Sequence, residues 1–388
     1  MTSVLRFHSS LTRDKFLCEF WQKKPVVLRN AIDPSRFNLE AEELAGLACE
    51  EEVESRLIKQ LDKTDWQLML GPLDESIFAE LPDNNWTLLV QDVDKHIPEV
   101  HALLDAFDFL PDWRIDDIMI SYATDNGGVG PHTDNYDVFL MQAQGQRRWR
   151  LSEHEYTDED HIEDCPLRVL ASFDTSEDWT LNPGDVLYLP PRVAHWGTAI
   201  GECMTWSLGL RGPSQLELSQ AWLNHVSEKE TENFFVDNLQ PGRTSNTSIT
   251  ETEQALGLQL IRQTQPEDNY EYRRWFGAFV TEAKEDFEIQ PTEHPQNAEQ
   301  LHSVILKGST LTRHPWARIA TIKLNQSTHA LCFQGQCIEI DDHYQNQLQS
   351  ISKHRQINTD FIDQYPAKDF FWELLAETYN QGLFLFDE

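Results

Sequence analysis

Alternation between apolar and polar positions dominates the middle of the chain, residues 64–212. Short runs rich in β-branched and aromatic residues are separated there by Gly, Pro, Asp and Asn, a pattern that predicts strands joined by tight turns. The predicted strands are Trp66–Leu70, Trp86–Gln91, Asp117–Tyr122, Asp137–Gln142, Arg147–Leu151, Val186–Leu189, His195–Ala199 and Met204–Leu210. Many short strands with this punctuation are typical of a β-sandwich or a β-barrel.

Helical spacing of apolar residues replaces this alternation before and after the middle segment. Residues 1–60 are predicted to be mainly helical, with one short strand at 25–29 and a helix over 38–57. Residues 213–240 return to helical spacing and lead into a polar linker at 241–252. A further helical stretch follows, which either packs on itself or forms a dimer interface.

The last segment, residues 295–388, combines helices with a small hairpin. The predicted hairpin strands are Ile319–Leu324 and Ala330–Ile340, the second containing Gly335, and a helix at Phe370–Tyr379 closes the segment. Helices around a small hairpin suggest a winged-helix-like module. That fold is often used to bind nucleic acid, but fold alone does not assign function.

The charge of the chain is strongly unbalanced and argues against a nucleic-acid ligand. There are 31 Lys and Arg residues against 65 Asp and Glu, a formal net charge of -34. Such a surface repels phosphates, so direct nucleic-acid binding is not expected. It attracts a strongly basic partner, and solubility alone or adaptation to salt is the alternative explanation.

A cytoplasmic protein is expected. The opening residues lack the apolar core of a signal peptide, and no apolar run is long enough to cross a bilayer. The six cysteines are scattered, without the spacing of a disulfide framework or a zinc site. Reduced thiols are the expected state in that compartment.

Candidate metal ligands follow a run of glycines. Gly127, Gly128 and Gly130 keep bulky side chains away from a tight turn, and His132 and Asp134 come directly after it. If a strand starts at His132, alternation places His132 and Asp134 on one face. An imidazole and a carboxylate are then offered to the same point.

A third ligand is available from the segment 183–195. Its Pro-Gly-Asp turn, short apolar strand and Pro-Pro bend lead to His195. Two histidines and one carboxylate leave open metal positions for a chelating cosubstrate and O₂, an arrangement that suits Fe(II). The alternative is a turn-capping His132 and a buried structural His195.

A cluster of arginines supplies a candidate anchor for the distal carboxylate of 2-oxoglutarate. A guanidinium can pair with a carboxylate through two parallel hydrogen bonds. Alternation puts Arg147 and Trp149 on one face of the predicted strand and Arg148 and Arg150 on the other. We take Arg147 as the anchor, although the residues alone leave open which face points inward.

These segments resemble a known family, the cupin-type JmjC-domain ribosomal oxygenases, and within it the bacterial arginine 3-hydroxylases of the 50S ribosomal protein L-sixteen. The resemblance rests on residues 111–151, on NPGDVLYLPPRVAHWGTA followed by MTWSLGLR, and on residues 20–28. It implies an α+β architecture, with a double-stranded β-helix (jelly-roll, cupin/JmjC) catalytic domain, a helical dimerisation region and a winged-helix-like C-terminal domain. The corresponding boundaries are 1–212, 213–290 and 291–388.

The resemblance also implies the reaction components. Fe(II) would be held by His132, Asp134 and His195, and 2-oxoglutarate would be contacted by Ser121 and Arg147. The implied reaction is 3-hydroxylation of an arginine in a basic ribosomal protein by a homodimeric enzyme.

Four further residues are candidates for binding the substrate. Asp117 and Met119 share a strand face with Ser121, Tyr136 follows the candidate ligands, and Ser207 lies on the last core strand. A carboxylate, an aromatic face and an apolar wall suit an arginine side chain. The alternative is that Met119 belongs to the core and Asp117 merely starts a strand.

Three other functions stay open at this point. One is a hydroxylase of histidine or asparagine in another basic protein. Another is a metal-dependent cupin that does not use 2-oxoglutarate. The third is a non-catalytic adaptor that docks on basic ribosomal proteins.

Overall fold

A nine-stranded sheet organises the first of two compact units, Met1–Gly212 and Pro213–Glu388. The structure is a computed structural model, and it describes residues 5–7, 11–229, 233–236, 247–284 and 287–387. The strands of the sheet are β1 (Val26–Leu28), β2 (Ser55–Gln60), β3 (Trp66–Leu70), β4 (Trp86–Val90), β5 (Ile115–Ala123), β6 (Asp137–Ser152), β7 (Glu177–Leu181), β8 (Val186–Leu189) and β9 (Ala194–Leu210). They follow the order β1-β8-β6-β9-β5-β4-β2-β3, with β7 paired to β6, and neighbouring strands run antiparallel. Short helices flank them: α1 (Arg13–Glu19), α2 (Ala41–Leu47), α3 (Val93–His96) and α4 (Pro98–His101).

Two long strands, β6 and β9, join the parts of this sheet. They pair from Asp137 opposite Leu210 to Ser152 opposite Ala194, with register irregularities around Gln144. The sequence pattern predicted two strands in place of each, which is wrong. Gly145 (φ 60°) and Gly201 (φ 66°) lie inside the long strands. A glycine in a strand pattern often marks a local irregularity in the ladder rather than its end.

The helix predicted over 38–57 is only partly correct. The structure has α2 at Ala41–Leu47, and the residues from Ser55 onward belong to β2. Leu57 and Ile58 are adjacent and both buried, because β2 is covered on both faces. A short apolar run of this kind cannot be assigned to helix or strand by its period alone.

The second unit contains helices around two three-stranded sheets, one ordered β14-β10-β15 and the other β11-β12-β13. Its elements are α5 (Gln215–Lys229), α6 (Glu251–Gln263), α7 (Tyr270–Phe279), α8 (Ala298–Leu306), β10 (Leu311–Arg313), β11 (Ile319–Lys323), β12 (Thr328–Phe333), β13 (Gln336–Asp341), α9 (Gln345–Lys353), β14 (Gln356–Ile357), α10 (Asp360–Gln364), α11 (Phe370–Asn380) and β15 (Phe384–Phe386). Trp372 and Phe371 of α11 are fully buried in its core, together with Leu311 of β10. Half of the predicted linker, 241–246, lies outside the described residues.

The strand predicted at Ala330–Ile340 is in fact a hairpin. Gln334 (φ 46°) and Gly335 (φ 71°) both have positive φ, as the two central residues of a type I′ turn require. The hairpin places Cys332 opposite Cys337, and the two form a disulfide bond. The expectation of reduced thiols is therefore wrong for this pair, because only the hairpin register makes them neighbours.

None of the helices in the described part of the chain has the length and apolarity that a membrane crossing requires. The division of the second unit at residue 290 into a helical region and a winged-helix region stays a prediction.

A buried polar network ties the start of β6 to the rest of the first unit. The carboxylate of Asp137, which is 0% exposed, accepts hydrogen bonds from the Tyr188 hydroxyl (2.6 Å), from Arg114 (3.0 Å) and from Gln22 (3.0 Å). Burial is the main cause that raises the pKa of Tyr188, and its hydrogen bond to Asp137 adds to it. The phenol is therefore a permanent donor, and the charge of Arg114 is balanced inside the protein.

We expect Asp137→Ala to destabilise the first unit strongly, because it leaves a largely buried guanidinium without its partner. The loss in free energy of unfolding should be about 3–5 kcal/mol, measured by urea denaturation followed through tryptophan fluorescence. The matched control is Asp178→Ala, which breaks the more exposed ion pair of Arg148 with Asp178 and should cost much less. Equal losses of unfolding free energy in the two variants would contradict the proposed contribution of the buried network to stability.

Candidate metal centre

A glycine-lined turn brings the segment before His132 against β9. A Cβ added at Gly128 would lie 2.4 Å from the carbonyl oxygen of Gly197, and Gly130 has a φ of 79°. Any larger side chain at Gly128 would push the turn away from the strand. The glycines are thus required by close approach and by backbone conformation.

The two candidate histidines are locked together through their backbones. His132 and His195 exchange both N–H···O hydrogen bonds, at 3.0 and 2.9 Å. The prediction that a strand starts at His132 is wrong, since His132 forms an isolated bridge and Asp134 lies in the turn that follows. The backbone carbonyl of Asp134 accepts a hydrogen bond from the Arg192 N–H at 2.6 Å, which holds the turn in place.

Each imidazole is oriented by a second hydrogen bond to the chain. The Nδ1 atom of His132 lies 3.0 Å from the Gly130 carbonyl, and that of His195 lies 2.9 Å from the Val193 carbonyl. These contacts fix the tautomer with the proton on Nδ1, so that Nε2 carries the lone pair a metal needs. Burial lowers the pKa of His195 to about 4, so its ring is neutral at physiological pH.

The three side chains converge on one point. The Asp134 Oδ2 atom lies 3.8 Å from the Nε2 of His132 and 3.6 Å from the Nε2 of His195. Potential ligand atoms of all three residues lie within 4.8 Å of one another. Two imidazoles and one carboxylate form the donor set of a facial triad, which leaves the remaining metal positions open. The residues present therefore fit a divalent iron centre.

Arg147 and Ser121 lie together inside the barrel. Arg147 is 3% exposed and donates a hydrogen bond to the Ser121 hydroxyl at 3.2 Å. Among the described residues no carboxylate forms an ion pair with Arg147, and its Nε has no hydrogen-bond partner. Burial lowers the pKa of this guanidinium. A buried cation without an anion is costly, so the arrangement fits an anionic ligand.

Three of the predicted substrate residues lie along the same inner face. On β5 and β9, Ser121 stands opposite Thr205, Met119 opposite Ser207, and Asp117 opposite Gly209. Asp117 and Ser207 are buried, and Met119 packs against the apolar group around Trp66 and Val169. From Ser121 to Asp117 the strand extends about 13 Å, at ~3.3 Å per residue.

Tyr136 connects the triad to the Asp117 end of this face. Its pKa is raised first by desolvation and then by the negative charges of Asp134 and Asp117. The phenol is thus close enough to both carboxylates to respond to them, and its side chain is 41% exposed. The structure brings Tyr136, Asp134 and Asp117 together as the sequence predicted, although Tyr136 lies beyond a turn and not on a shared strand.

Sequence reasoning missed several polar and aromatic groups of the interior. Gln142 lies opposite Thr205, and its side-chain oxygen is 3.3 Å from the Thr205 hydroxyl. The Trp149 ring lies 5.8 Å from that of His195, and a Cβ at Gly197 would meet Trp149 at 2.6 Å. These residues belong to the segments already singled out, but only the register of β6 against β9 shows that they line the site.

A barrel of antiparallel strands with a two-histidine, one-carboxylate centre and a buried arginine defines a JmjC-type dioxygenase. The family model for the JmjC domain matches residues 102–218, and the model for the ROXA-like winged helix matches residues 259–384. The predicted fold class, with its cupin-type domain and its winged-helix-like C-terminal domain, is confirmed.

The chain belongs to the ribosomal oxygenase family of 2-oxoglutarate-dependent dioxygenases. It is 33% identical over 392 residues to the ribosomal protein uL16 3-hydroxylase of Escherichia coli (strain K12), which covers 99% of this chain and 100% of the relative. A crystal structure of E. coli YcfD superposes with a TM-score of 0.81 at 31% identity, covering 99% of this chain and 100% of that one. A structure of YcfD in complex with cobalt and 2-oxoglutarate superposes with a TM-score of 0.79 at 32% identity and the same coverage. The predicted family and enzyme class are confirmed.

We expect His195→Ala to lower the affinity of the protein for Co(II), a spectroscopic substitute for Fe(II). Loss of a direct ligand should cost more than the ~10–100-fold typical of an outer contact, measured by titrating the visible absorbance of bound Co(II). His154→Ala is the matched control, because His154 is exposed and outside the cluster. Undiminished affinity in His195→Ala would contradict the assignment.

Proposed function

We propose that this protein is an Fe(II)- and 2-oxoglutarate-dependent hydroxylase that oxidises C-3 of an arginine in the large-subunit ribosomal protein L-sixteen (uL16). The observation that carries the proposal is the buried Arg147, for which the described residues provide no carboxylate partner, inside the same barrel as the His132, Asp134 and His195 cluster. Full-length similarity to a uL16 3-hydroxylase supports the choice of substrate.

The triad would hold the metal through the Nε2 atoms of both histidines and the carboxylate of Asp134. An iron(II) ion bound there supplies the oxidative chemistry, in which O₂ and 2-oxoglutarate yield succinate, CO₂ and one oxygen for a substrate C–H bond. The chain's own contribution is to fix the ligands. The Gly130 and Val193 carbonyls orient the two rings, and the backbone bridge between His132 and His195 sets their spacing.

Arg147 and Ser121 would anchor the distal carboxylate of 2-oxoglutarate. The guanidinium offers a planar fork for bidentate pairing, and the Ser121 hydroxyl already contacts it. Because the site is buried, the ion pair would be shielded from solvent and salt. The dicarboxylate would replace the missing counter-charge of Arg147.

The substrate arginine would enter at the other end of the inner face. Asp117 would pair with its guanidinium, Tyr136 would stack on it, and Met119 would form the apolar wall. Ser207, opposite Met119 on β9, would add a polar contact. These roles follow from residue type and placement on the shared face.

The partners of the enzyme follow from charge and from the helices of the second unit. A net charge of -34 favours encounter with a basic ribosomal protein and disfavours nucleic acid. Helix α6 has no buried residue, and Leu258 and Ile261 are 48% and 64% exposed. A helix of this length is marginal in water without a partner surface. We propose that a second copy of the chain covers it, with 213–290 as the dimerisation region, 291–388 as the winged-helix-like domain and the cytoplasm as the site of action.

The proposal is tested by mass spectrometry of recombinant uL16 incubated with the protein, Fe(II), 2-oxoglutarate and O₂. We expect a gain of one oxygen on one arginine, and no gain with the His132→Ala variant, which lacks a metal ligand.

The other results distinguish the alternatives. Succinate production without modified uL16 would indicate a different substrate, such as a histidine or asparagine of another basic protein. Metal binding without succinate production would indicate a cupin that does not use 2-oxoglutarate. Binding of uL16 with neither metal binding nor turnover would favour an adaptor.

We expect Arg147→Gln to raise the KM for 2-oxoglutarate about 10–100-fold, the equivalent of one charge-assisted contact. The KM for the uL16 substrate should change little, because Asp117 lies at the far end of the face. Arg148→Gln is the control, since Arg148 lies on the outer face in an ion pair with Asp178. Equal effects of the two substitutions on the KM for 2-oxoglutarate would contradict the assignment of Arg147.

A further inference from the structure

The corner between β4 and α3, residues 91–95, forms hydrogen bonds with residues 116–118 near the beginning of β5. The Lys95 ammonium donates to the Asp116 carbonyl at 2.9 Å. The Asp94 carboxylate accepts the Ile118 N–H at 2.7 Å. Between these two contacts lies Asp117, at the point where the register of β5 against β9 shifts. The backbone on both sides of Asp117 is therefore fixed by one corner.

The same corner holds the Asp117 side chain through one of its oxygens. The Asp92 N–H donates to Asp117 Oδ2 at 3.0 Å. Asp92 has a φ of 53°, the left-handed conformation that aspartate tolerates better than most residues. In this conformation its N–H reaches the carboxylate of Asp117. The contact is directional, because a backbone donor cannot change rotamer.

Gln91 supplies a second donor to the same oxygen and links it to a cation. With the amide nitrogen facing Asp117, that nitrogen lies 3.2 Å from Oδ2 and the amide oxygen lies 2.8 Å from Arg56 Nη2. The opposite orientation would place oxygen against oxygen and nitrogen against nitrogen. A neutral amide therefore links Arg56 to Asp117.

We infer that Gln91 is a positioning residue for substrate specificity: with Arg56 behind it, it aims the Asp117 carboxylate at the cationic side chain of the substrate. The inference rests on the proposed function, since it concerns the pocket for that side chain. An ionised carboxylate has about four acceptor sites, so the donors from Asp92 and Gln91 can orient it without using all of them. A carboxylate held in this way loses little side-chain freedom when the substrate arrives.

The amide is suited to this role because of its charge. Gln91 is neutral, so its hydrogen bond orients the carboxylate of Asp117 without cancelling its charge. Through the chain of Arg56 to Gln91 to Asp117, the guanidinium polarises the amide, which strengthens its hydrogen bond to the carboxylate. Arg56 is near enough to the pocket for its positive charge to act on Tyr136 as well.

The test measures steady-state kinetics of the full chain with a uL16 peptide that contains the arginine to be hydroxylated. Gln91→Leu should raise the KM for the peptide about tenfold, the equivalent of one lost hydrogen bond to a charged group. The KM for 2-oxoglutarate and the affinity for Co(II) should not change. Arg56→Met should raise the peptide KM about threefold, and it provides a second measurement if Gln91→Leu folds poorly.

A double-mutant cycle with Asp117→Asn separates positioning from general support of the fold. If Gln91 acts through Asp117, then Gln91→Leu should change the peptide KM less than about twofold in the Asp117→Asn background. The matched control is Gln146→Leu, which removes an exposed amide that donates to Asn182 on the outer side of β6. It should leave every constant unchanged.

Three results would overturn the inference, and they distinguish its failure from that of the proposed function. An unchanged peptide KM in Gln91→Leu, or an equal effect of that substitution with and without Asp117→Asn, would remove Gln91 as a positioning residue and leave the proposed function intact. Failure of the wild-type protein to oxidise the arginine peptide, with the metal bound, would overturn the proposed function and the inference together.

Discussion

The pairing of β6 with β9 is the constraint on which the rest of the first unit depends. β9 carries His195, Thr205 and Ser207 on one face, and β6 carries Arg147 opposite Ala199. Because side chains alternate along a strand, a slip of one residue would turn all of them to the other face. The network around Asp137 closes one end of this ladder, and the bridge between His132 and His195 holds the turn against the other. The metal centre is therefore a consequence of register more than of local sequence.

Burial of Arg147 destabilises the fold, and the pairing of β6 with β9 offsets this cost. A guanidinium without an anion in the interior is destabilising, and such groups persist where the surrounding structure over-determines them. The Ser121 hydroxyl and the two long strands hold Arg147 in place. Under the proposed function, the cosubstrate would supply an anionic partner for this buried cation.

The sequence predicted the residues of the site better than the shapes of the elements that carry them. His132, Asp134 and His195 were predictable because the glycine turn and the Pro-Gly-Asp element are local signals. The long strands were not predictable, since glycines such as Gly145 and Gly201 occur both in turns between strands and at irregularities within one strand. The disulfide depends on the register of one hairpin, and the role of Gln91 depends on its contact with Asp117 on another strand. Alternation and spacing encode neither. The chain bends between Asp134 and Tyr136, so alternation along a shared strand does not apply there, and the role of Tyr136 in the site stays a prediction.

The excess of acidic residues would repel a cosubstrate that is a dianion. The distance between the surface carboxylates and the interior of the barrel weakens this repulsion. At physiological ionic strength the screening length is about 8 Å, so carboxylates spread over the surface act weakly on a ligand deep in the barrel. Arg147 would touch that ligand directly, in a site that water and salt do not reach. A large basic protein is instead attracted by the summed surface field during its approach. Arg147 and Asp117 carry opposite charges at the two ends of one inner face. Arg147 would then bind the anionic cosubstrate and Asp117 the cationic side chain, although the surface of the protein attracts only cations.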